Sequence, residues 1–279
     1  MTTWCATTIL SADQRLEVLD LFNRTENELG REAIDEGRRR TVVHRGPGEH
    51  WLDVHDGRVR RYALLNSGDP ATLELCGGGT DDELLAAVLA RHGRVDWWTR
   101  DNFEAVGGTV VRTLQLLRID LPVRLEHRVG ESDGIRAFDP ERDADRWLAQ
   151  NNAAFADHPE QGAWTEQQLR ERINEPWFDP SGFFILERDR RLAASCWTKV
   201  HELHPDRFGE IYVISVHPDF RGLGLGRAMV LHGLEAIRRK GVSSATLFVD
   251  ESNLAARALY ESLGFSLERE DRLVRFSAP

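Results

Sequence analysis

The sequence predicts an α/β (α+β) protein made of two related halves. Three observations carry this. Residues 210–227, Glu210-Ile-Tyr-Val-Ile-Ser-Val-His-Pro-Asp-Phe-Arg-Gly-Leu-Gly-Leu-Gly-Arg227, run from a β-branched apolar strand through a glycine-rich turn into a helical stretch. The same order recurs around Gly77-Gly-Gly79, between the strand Ala71 to Cys76 and the helix Asp81 to Arg91. In both halves a helix and several strands precede that unit and a strand follows it, which reads as a divergent internal copy.

In the first half, Ser11 is placed to cap a helix with Leu16, Leu19 and Phe22 on one face. Glu26 to Arg40 is charged and poorly periodic, so a second helix and a mobile loop both stay open. Val42-Val43, Trp51 to Val54 and Arg60 to Leu65 read as strands, with turns at Gly46-Pro-Gly48 and Asp56-Gly57. The helix from Asp81 turns Leu84, Leu85, Val88 and Leu89 inward. Val95 to Trp98 and Thr113 to Ile119 are the closing strands. Leu121 to Gly134 is polar and reads as a linker, which sets expected domains at 1–124 and 133–279.

In the second half, a helix begins at Asp139 and carries Trp147 and Leu148. Thr165 caps another, with Leu169 and Ile173 inside. Trp177 to Gly182 is a turn; Gly182 to Glu187 and Leu192 to Val200 are strands joined by a charged hairpin. After the 210 strand, the helix from Arg227 to Lys240 ends at Gly241. Ala245 to Val249 is a strand. Asn253 caps a helix with Ala255, Leu259 and Leu263 buried, Gly264 stops it, and Leu273 to Phe276 is the last strand.

Composition bounds the function. The 279 residues carry a formal charge of −10 and are 41% hydrophobic. Two cores are affordable on that content, and nonspecific nucleic-acid binding is disfavoured. No apolar run approaches the ~18 residues of a membrane span. Met1 to Thr8 lacks a basic segment followed by an apolar core, so a cytoplasmic, monomeric protein is expected. Cys5, Cys76 and Cys196 have no paired spacing, and Cys196 reads as a small core residue. No His/carboxylate spacing suggests a metal; His158, His201 and His204 read as polar surface or loop residues.

A glycine-rich turn between strand and helix exposes backbone N–H groups at the positive end of the helix dipole, which suits a phosphate. The glycines at 222, 224 and 226 miss the GxGxxG spacing, and no Gly-Lys-Ser/Thr triplet follows. Arg-x-x-Gly-x-Gly over Arg221 to Gly226 instead resembles the acetyl-CoA pyrophosphate loop of the GNAT acetyltransferases. Asn253-x-x-Ala-x-x-x-Tyr-x-x-x-Gly-Phe265 is similar to the second signature of that family. Asn151 to Trp164, Trp177 to Pro180 and Trp197 to His201 resemble its mycothiol synthase branch, tandem enzymes that acetylate the cysteinyl amine of desacetylmycothiol.

The resemblance implies two GNAT folds, each a mixed, mostly antiparallel sheet flanked by helices. It implies acetyl-CoA as co-substrate, a thiol pseudodisaccharide as acceptor, and no metal. It also implies that the backbone of Ile214, Ser215 and Val216 holds the pantetheine, and that Arg221, Gly222, Leu223, Gly224, Leu225, Gly226 and Arg227 hold the pyrophosphate. Asn253, Leu254, Ala255, Ala256, Arg257 and Ala258 would line the rest of the cofactor. Glu36, Glu160, Lys199 and Glu210 match acceptor-binding positions. Phe248 stands where the family can have a tyrosine, whose hydrogen bond it cannot supply.

Catalysis needs a neutral amine and a proton for the leaving thiolate. Glu210, beside the thioester strand, is expected to take the amine proton directly or through water, and Tyr260 to serve the thiolate. Plainer roles are a solvated carboxylate for Glu210 or Glu160, a core tyrosine for Tyr260 and a surface lysine for Lys199. The Gly77 turn lacks an arginine and is followed by Asp81 and Asp82, so the first half is expected to hold no working acetyl-CoA site. Competing functions are a GNAT enzyme for another small amine or a protein N-terminus, and a non-catalytic CoA-binding tandem repeat.

Overall fold

The computed structural model describes residues 4–100, 107–123, 134–156, 158, 162–202 and 207–278. After β1 (Trp4–Thr7), the chain enters α1 (Ala12–Leu29) through a full capping box between Ser11 and Gln14. The buried stripe is Val18, Leu21 and Phe22, whereas Leu16 is 63% exposed. The buried stripe is therefore rotated from the expected one by about one residue, roughly 100°. Gly30 ends α1, and Asp35 caps α2 (Glu36–His44). Glu26 to Arg40 is thus the end of one helix and the start of another.

Val42 and Val43 lie in α2, not in a strand. A β-branched pair has only a weak local preference, and Val42 instead buries against the Val18, Phe22 and Leu64 cluster. The strands β2 (Glu49–His55), β3 (Arg58–Asn66) and β4 (Ala71–Leu75) follow, then α3 (Asp82–His92), β5 (Arg94–Thr99) and β6 (Thr109–Asp120). Leu84 and Val88 are the buried residues of α3, while Leu85 and Leu89 are half-buried.

The second half starts with the short β7 (Ile135–Ala137), which no sequence pattern announced, and α4 (Pro140–Ala154), capped by Asp139. Next come α5 (Glu166–Ile173), capped by Thr165, and the hairpin of β8 (Phe183–Arg188) and β9 (Arg191–His201). Then follow β10 (Phe208–Val216), α6 (Leu225–Arg239), β11 (Ser244–Asp250), α7 (Leu254–Leu263) and β12 (Ser266–Ser277). The last strand is far longer than the expected Leu273 to Phe276. The linker residues 124–133 lie outside the described residues.

Among the described residues, one sheet of twelve strands runs in the order β1-β2-β3-β4-β5-β12-β6-β11-β10-β9-β8-β7. Only β4–β5 and β10–β11 pair in parallel; the other neighbours are antiparallel. The last strand of each half lies against the other half: β6 pairs with β11 and β12, and β12 pairs with β5. The halves are thereby joined through backbone hydrogen bonds, not only through side-chain packing.

Helices α4 and α6 cover opposite faces of the second half. Met229, Val230, Leu234 and Ile237 of α6 pack on Ile211, Ala245 and Leu247. Contact is close at Gly233, where a Cβ would fall 2.6 Å from the Cys196 sulfur. On the other face, Trp147 of α4 joins Trp164, Phe183, Trp197 and Val213, and its Nε1 donates to Ser195 Oγ at 2.9 Å. Ile211 belongs to the α6 core and Val213 to the aromatic one. A bulge between them moves β10 out of simple alternation.

Candidate active site

The site is built where β10 leaves β11. Their parallel ladder holds only at Gly209↔Ala245 and Glu210↔Thr246, although the strands continue to Val216 and Asp250. Beyond Glu210 the two strands splay. Ile214, Ser215 and Val216 thus turn an edge without a β11 partner toward the gap. Their other edge pairs with Cys196, Ser195 and Ala194 of β9. Behind the strand, Ser215 Oγ donates to Gln150 Oε1 of α4 at 3.0 Å and sits 2.8 Å from Ser195 Oγ.

The glycine turn closes one end of this gap. A 3-10 turn at Pro218–Phe220 leads into Arg221, and α6 starts at Gly224, whose φ is +74°. Among the described residues no side chain caps that helix, so its first N–H groups lack the acceptor a Ser, Asp or Asn would supply. Among the described residues, a Cβ on Gly222 or Gly224 would meet nothing within 4 Å, so none of them fills the space above the turn. An uncapped positive helix end below open space fits a pyrophosphate. Leu223 points outward while Leu225 is buried. Arg221 donates to the Ala154 carbonyl at 2.9 Å and Arg227 to Ser262 Oγ at 3.1 Å. Gly226 lies beside Val216 and Leu259, which brings the turn, the end of β10 and α7 together.

Helix α7 forms the other wall. Asn253 Oδ1 accepts from Ala256 N at 3.1 Å. Leu254, Ala255 and Ala258 are exposed, and Ala256 and Arg257 are half-buried. The inward face is Ala256, Tyr260 and Leu263, so the expectation that Ala255 is buried is corrected. The stripe follows i, i+4, i+7 from Ala256, one residue on. Burial, and then the neighbouring Cys196, push the Tyr260 phenol well above its ordinary value. Tyr260 is buried in the α6 core cluster, and that burial favours its protonated form. Cys196 is fully buried, as its apolar surroundings predict.

Beside this gap, a polar cluster gathers residues from both halves. Lys199 Nζ is 2.8 Å from Glu36 Oε2 and 3.1 Å from Glu32 Oε1. It also lies 4.9 Å from the centre of the Trp177 ring. Lys199 is only 7% exposed, which rules out the surface-lysine reading. Burial alone would lower its pKa, but Glu32, Glu36 and Glu210 outweigh this and raise it, so the ammonium stays charged. Glu36 Oε1 accepts from Tyr212 OH at 3.0 Å and from Arg40 at 3.2 Å. Arg172 Nε in turn donates to Tyr212 OH at 3.0 Å. Burial works to raise the Glu32 carboxyl, yet Lys199, His201 and Arg100 hold it down at about 2.

Glu210 is the cross-strand partner of Lys199, and its Oε2 is 2.5 Å from His201 Nε2. His201 is 7% exposed, which corrects its expected placement on the surface. Lys199 and His201 are two apart on β9 and share a face, an alternation that would have grouped them. Glu32, Arg172, Tyr212 and Trp177 were also not singled out as site residues. Glu32 and Lys199 are 167 residues apart, and no local pattern links them.

Phe248 is 41% exposed on β11, with the Arg269 guanidinium 6.0 Å from its ring centre. Glu160 and His204 lie outside the described residues. Among the described residues no group of His, Cys, Asp and Glu could hold a metal, and no helix is long and apolar enough to cross a membrane.

A strand splay facing an uncapped glycine-headed helix is the architecture of an acyl-CoA-dependent acetyltransferase. The Acetyltransferase (GNAT) family is matched over residues 147–265. A tandem GNAT protein from the clavulanic acid biosynthesis pathway superposes with a TM-score of 0.65 at 14% identity, covering 100% of this chain and 99% of that one. The mycothiol acetyltransferase of Thermomonospora curvata is 49% identical over 263 residues, covering 85% of this chain and 86% of that protein. That of Thermobispora bispora is 42% identical over 250 residues, covering 82% and 85%. The chain belongs to the mycothiol acetyltransferase family.

Proposed function

We propose that this chain transfers the acetyl group of acetyl-CoA to the cysteinyl amine of desacetylmycothiol, giving mycothiol and CoA. The observation that carries the reading is the position of Glu210. It stands on the last rung before β10 and β11 part, and it is the cross-strand partner of Lys199.

When bound, acetyl-CoA supplies an activated thioester. Ile214, Ser215 and Val216 hold the pantetheine by their free strand edge. The turn from Arg221 to Arg227 takes the pyrophosphate on backbone N–H groups, and Asn253 to Ala258 line the remainder. Lys199, Glu36, Glu160 and Glu210 hold the acceptor, with Phe248 at its edge. Glu210 removes a proton from the acceptor ammonium, leaving the nitrogen lone pair free to attack. As the N–C bond forms and the C–S bond breaks, the new amide nitrogen releases its second proton to solvent, and Tyr260 donates its phenolic proton to the departing sulfur and is reprotonated from solvent.

Residues 1–124 serve in this reading as a degenerate repeat that lends Glu36 to the acceptor site, and 133–279 as the catalytic domain. Each chain has one acetyl-CoA site. A cytoplasmic location and a monomeric state are part of the same proposal.

The test is CoA release with desacetylmycothiol, glucosamine and peptide amines as acceptors. Release with desacetylmycothiol at far higher kcat/KM is the expected result. Preference for glucosamine or a peptide amine would reassign the acceptor, and no release with any amine would leave a CoA-binding scaffold.

A further inference from the structure

His201 is the one imidazole among the described residues that touches the proposed base. Its Nε2 lies 2.5 Å from Glu210 Oε2, and its Nδ1 lies 3.8 Å from Glu32 Oε1. Its ring stacks on Phe208, its cross-strand partner, at 4.6 Å and 11°. An ionised carboxylate only accepts hydrogen bonds, so the proton in this contact is carried by Nε2. Glu210 Oε2 is thereby occupied, and Oε1 has no hydrogen-bond partner among the described residues.

We propose that His201 is the positioning residue of Glu210. It holds Oε2 by donation from Nε2 and leaves Oε1 as the single oxygen that meets the acceptor amine. Glu32, contributed by the first half, faces the other side of the imidazole. This rests on the reading of Glu210 as the group that removes the amine proton. The stacking on Phe208 fixes the ring plane, so the donor direction is set by β9 and β10 rather than by solvent. The charged groups facing the pair are Lys199 from β9, Glu36 from α2, and Glu32 with Arg100 behind it.

The experiment compares His201→Phe, His201→Gln, Glu210→Gln and the double variant Glu210→Gln/His201→Phe, using acetyl-CoA and desacetylmycothiol. His201→Phe keeps the stacked ring and removes both nitrogens. We expect kcat to fall about tenfold, the size of one charge-assisted hydrogen bond, with acceptor KM within about twofold. The acid limb of its pH profile should move up by about one unit, because a carboxylate stripped of a donor holds its proton to higher pH. His201→Gln restores an N–H donor and should recover most of the activity. The double variant should be no slower than Glu210→Gln.

An unchanged kcat and acid limb in His201→Phe would overturn the proposal. So would a loss as deep as that of Glu210→Gln with the acid limb gone, since His201 would then be the base itself. Should His201→Phe fail to fold, His201→Gln decides: near-normal kcat supports the donor role, and a loss beyond about tenfold contradicts it. A Glu210→Gln enzyme with normal kcat would instead remove the base assignment on which the proposal rests.

Discussion

The two glycine turns begin their helices in opposite ways. In the second half Gly224 leads α6 without a side-chain cap among the described residues. In the first, Asp81 caps α3, its Oδ1 accepting from Leu84 N at 2.8 Å and from Trp4 Nε1 at 3.0 Å. Arg61 pairs with its other oxygen. The anion that the α3 terminus attracts is thus a side chain of the same protein. The strands differ in the same sense. β4 and β5 stay paired through Glu74↔Trp98, one residue from the end of β4, whereas β10 and β11 part at Glu210. Even the carboxylates differ: Glu74 is buried between Arg38 at 3.3 Å and Arg100 at 2.5 Å, while Glu210 keeps an oxygen open. In the first repeat the helix end is met by a side chain of its own and the strands stay zipped, within the same fold.

The largest expected effect comes from making the second turn resemble the first. Gly224→Glu puts a carboxylate and a side chain at a positive-φ position over the α6 terminus, and should abolish acetyl-CoA binding by calorimetry. Unchanged affinity would remove the turn from the site. Next is Glu210→Gln, which keeps the shape and cannot accept a proton; kcat should fall by about 10²–10⁴. The loss should shrink as pH rises and the acceptor amine becomes neutral unaided, with acetyl-CoA affinity unchanged. Tyr260→Phe should differ, its defect persisting at high pH. A Glu210→Gln enzyme impaired in KM alone would make Glu210 a binding residue.

In the first half the same kind of change should touch stability only. Asp81→Ala should lower unfolding free energy by about 1–2 kcal/mol, the worth of an N-cap with its partners, and leave kcat intact. A large drop in kcat would show that the first turn takes part in the reaction. The smallest effect concerns Glu32. Its carboxyl is depressed to about 2 in the folded protein, so it contributes stability above its ordinary 4.5 and loses it as pH falls toward 2. The gap in melting temperature between the native protein and Glu32→Gln should be full at neutral pH and close over that window. A gap that stays constant down to pH 2 would contradict the pairing.

Much of this was legible locally. Ser11, Thr165 and Asn253 act as the caps their spacing announces, and the turn from Arg221 to Gly226 joins strand to helix as read. Val42-Val43 misled because two β-branched residues weigh less than Asp35 at a cap and a buried Val42. Leu16 and Ala255 misled because a stripe slips by one residue when the helix rotates toward its core. The exchange of β6 and β12 was not legible, since a strand's pairing partner is a tertiary choice that leaves no periodicity. The Lys199 cluster was half legible: Lys199 and Glu36 by resemblance, but not Glu32 or His201, which the cross-strand register and the docking of the two halves bring in.

The claim that one half binds the cofactor and the other has closed its own site is tested most directly by counting. Titration of the purified chain with acetyl-CoA to saturation, followed by calorimetry, should give one equivalent bound, and none after Gly224→Glu. Two equivalents, or one that survives Gly224→Glu, would contradict it, because the turn at Gly77 to Gly79 would then hold a cofactor.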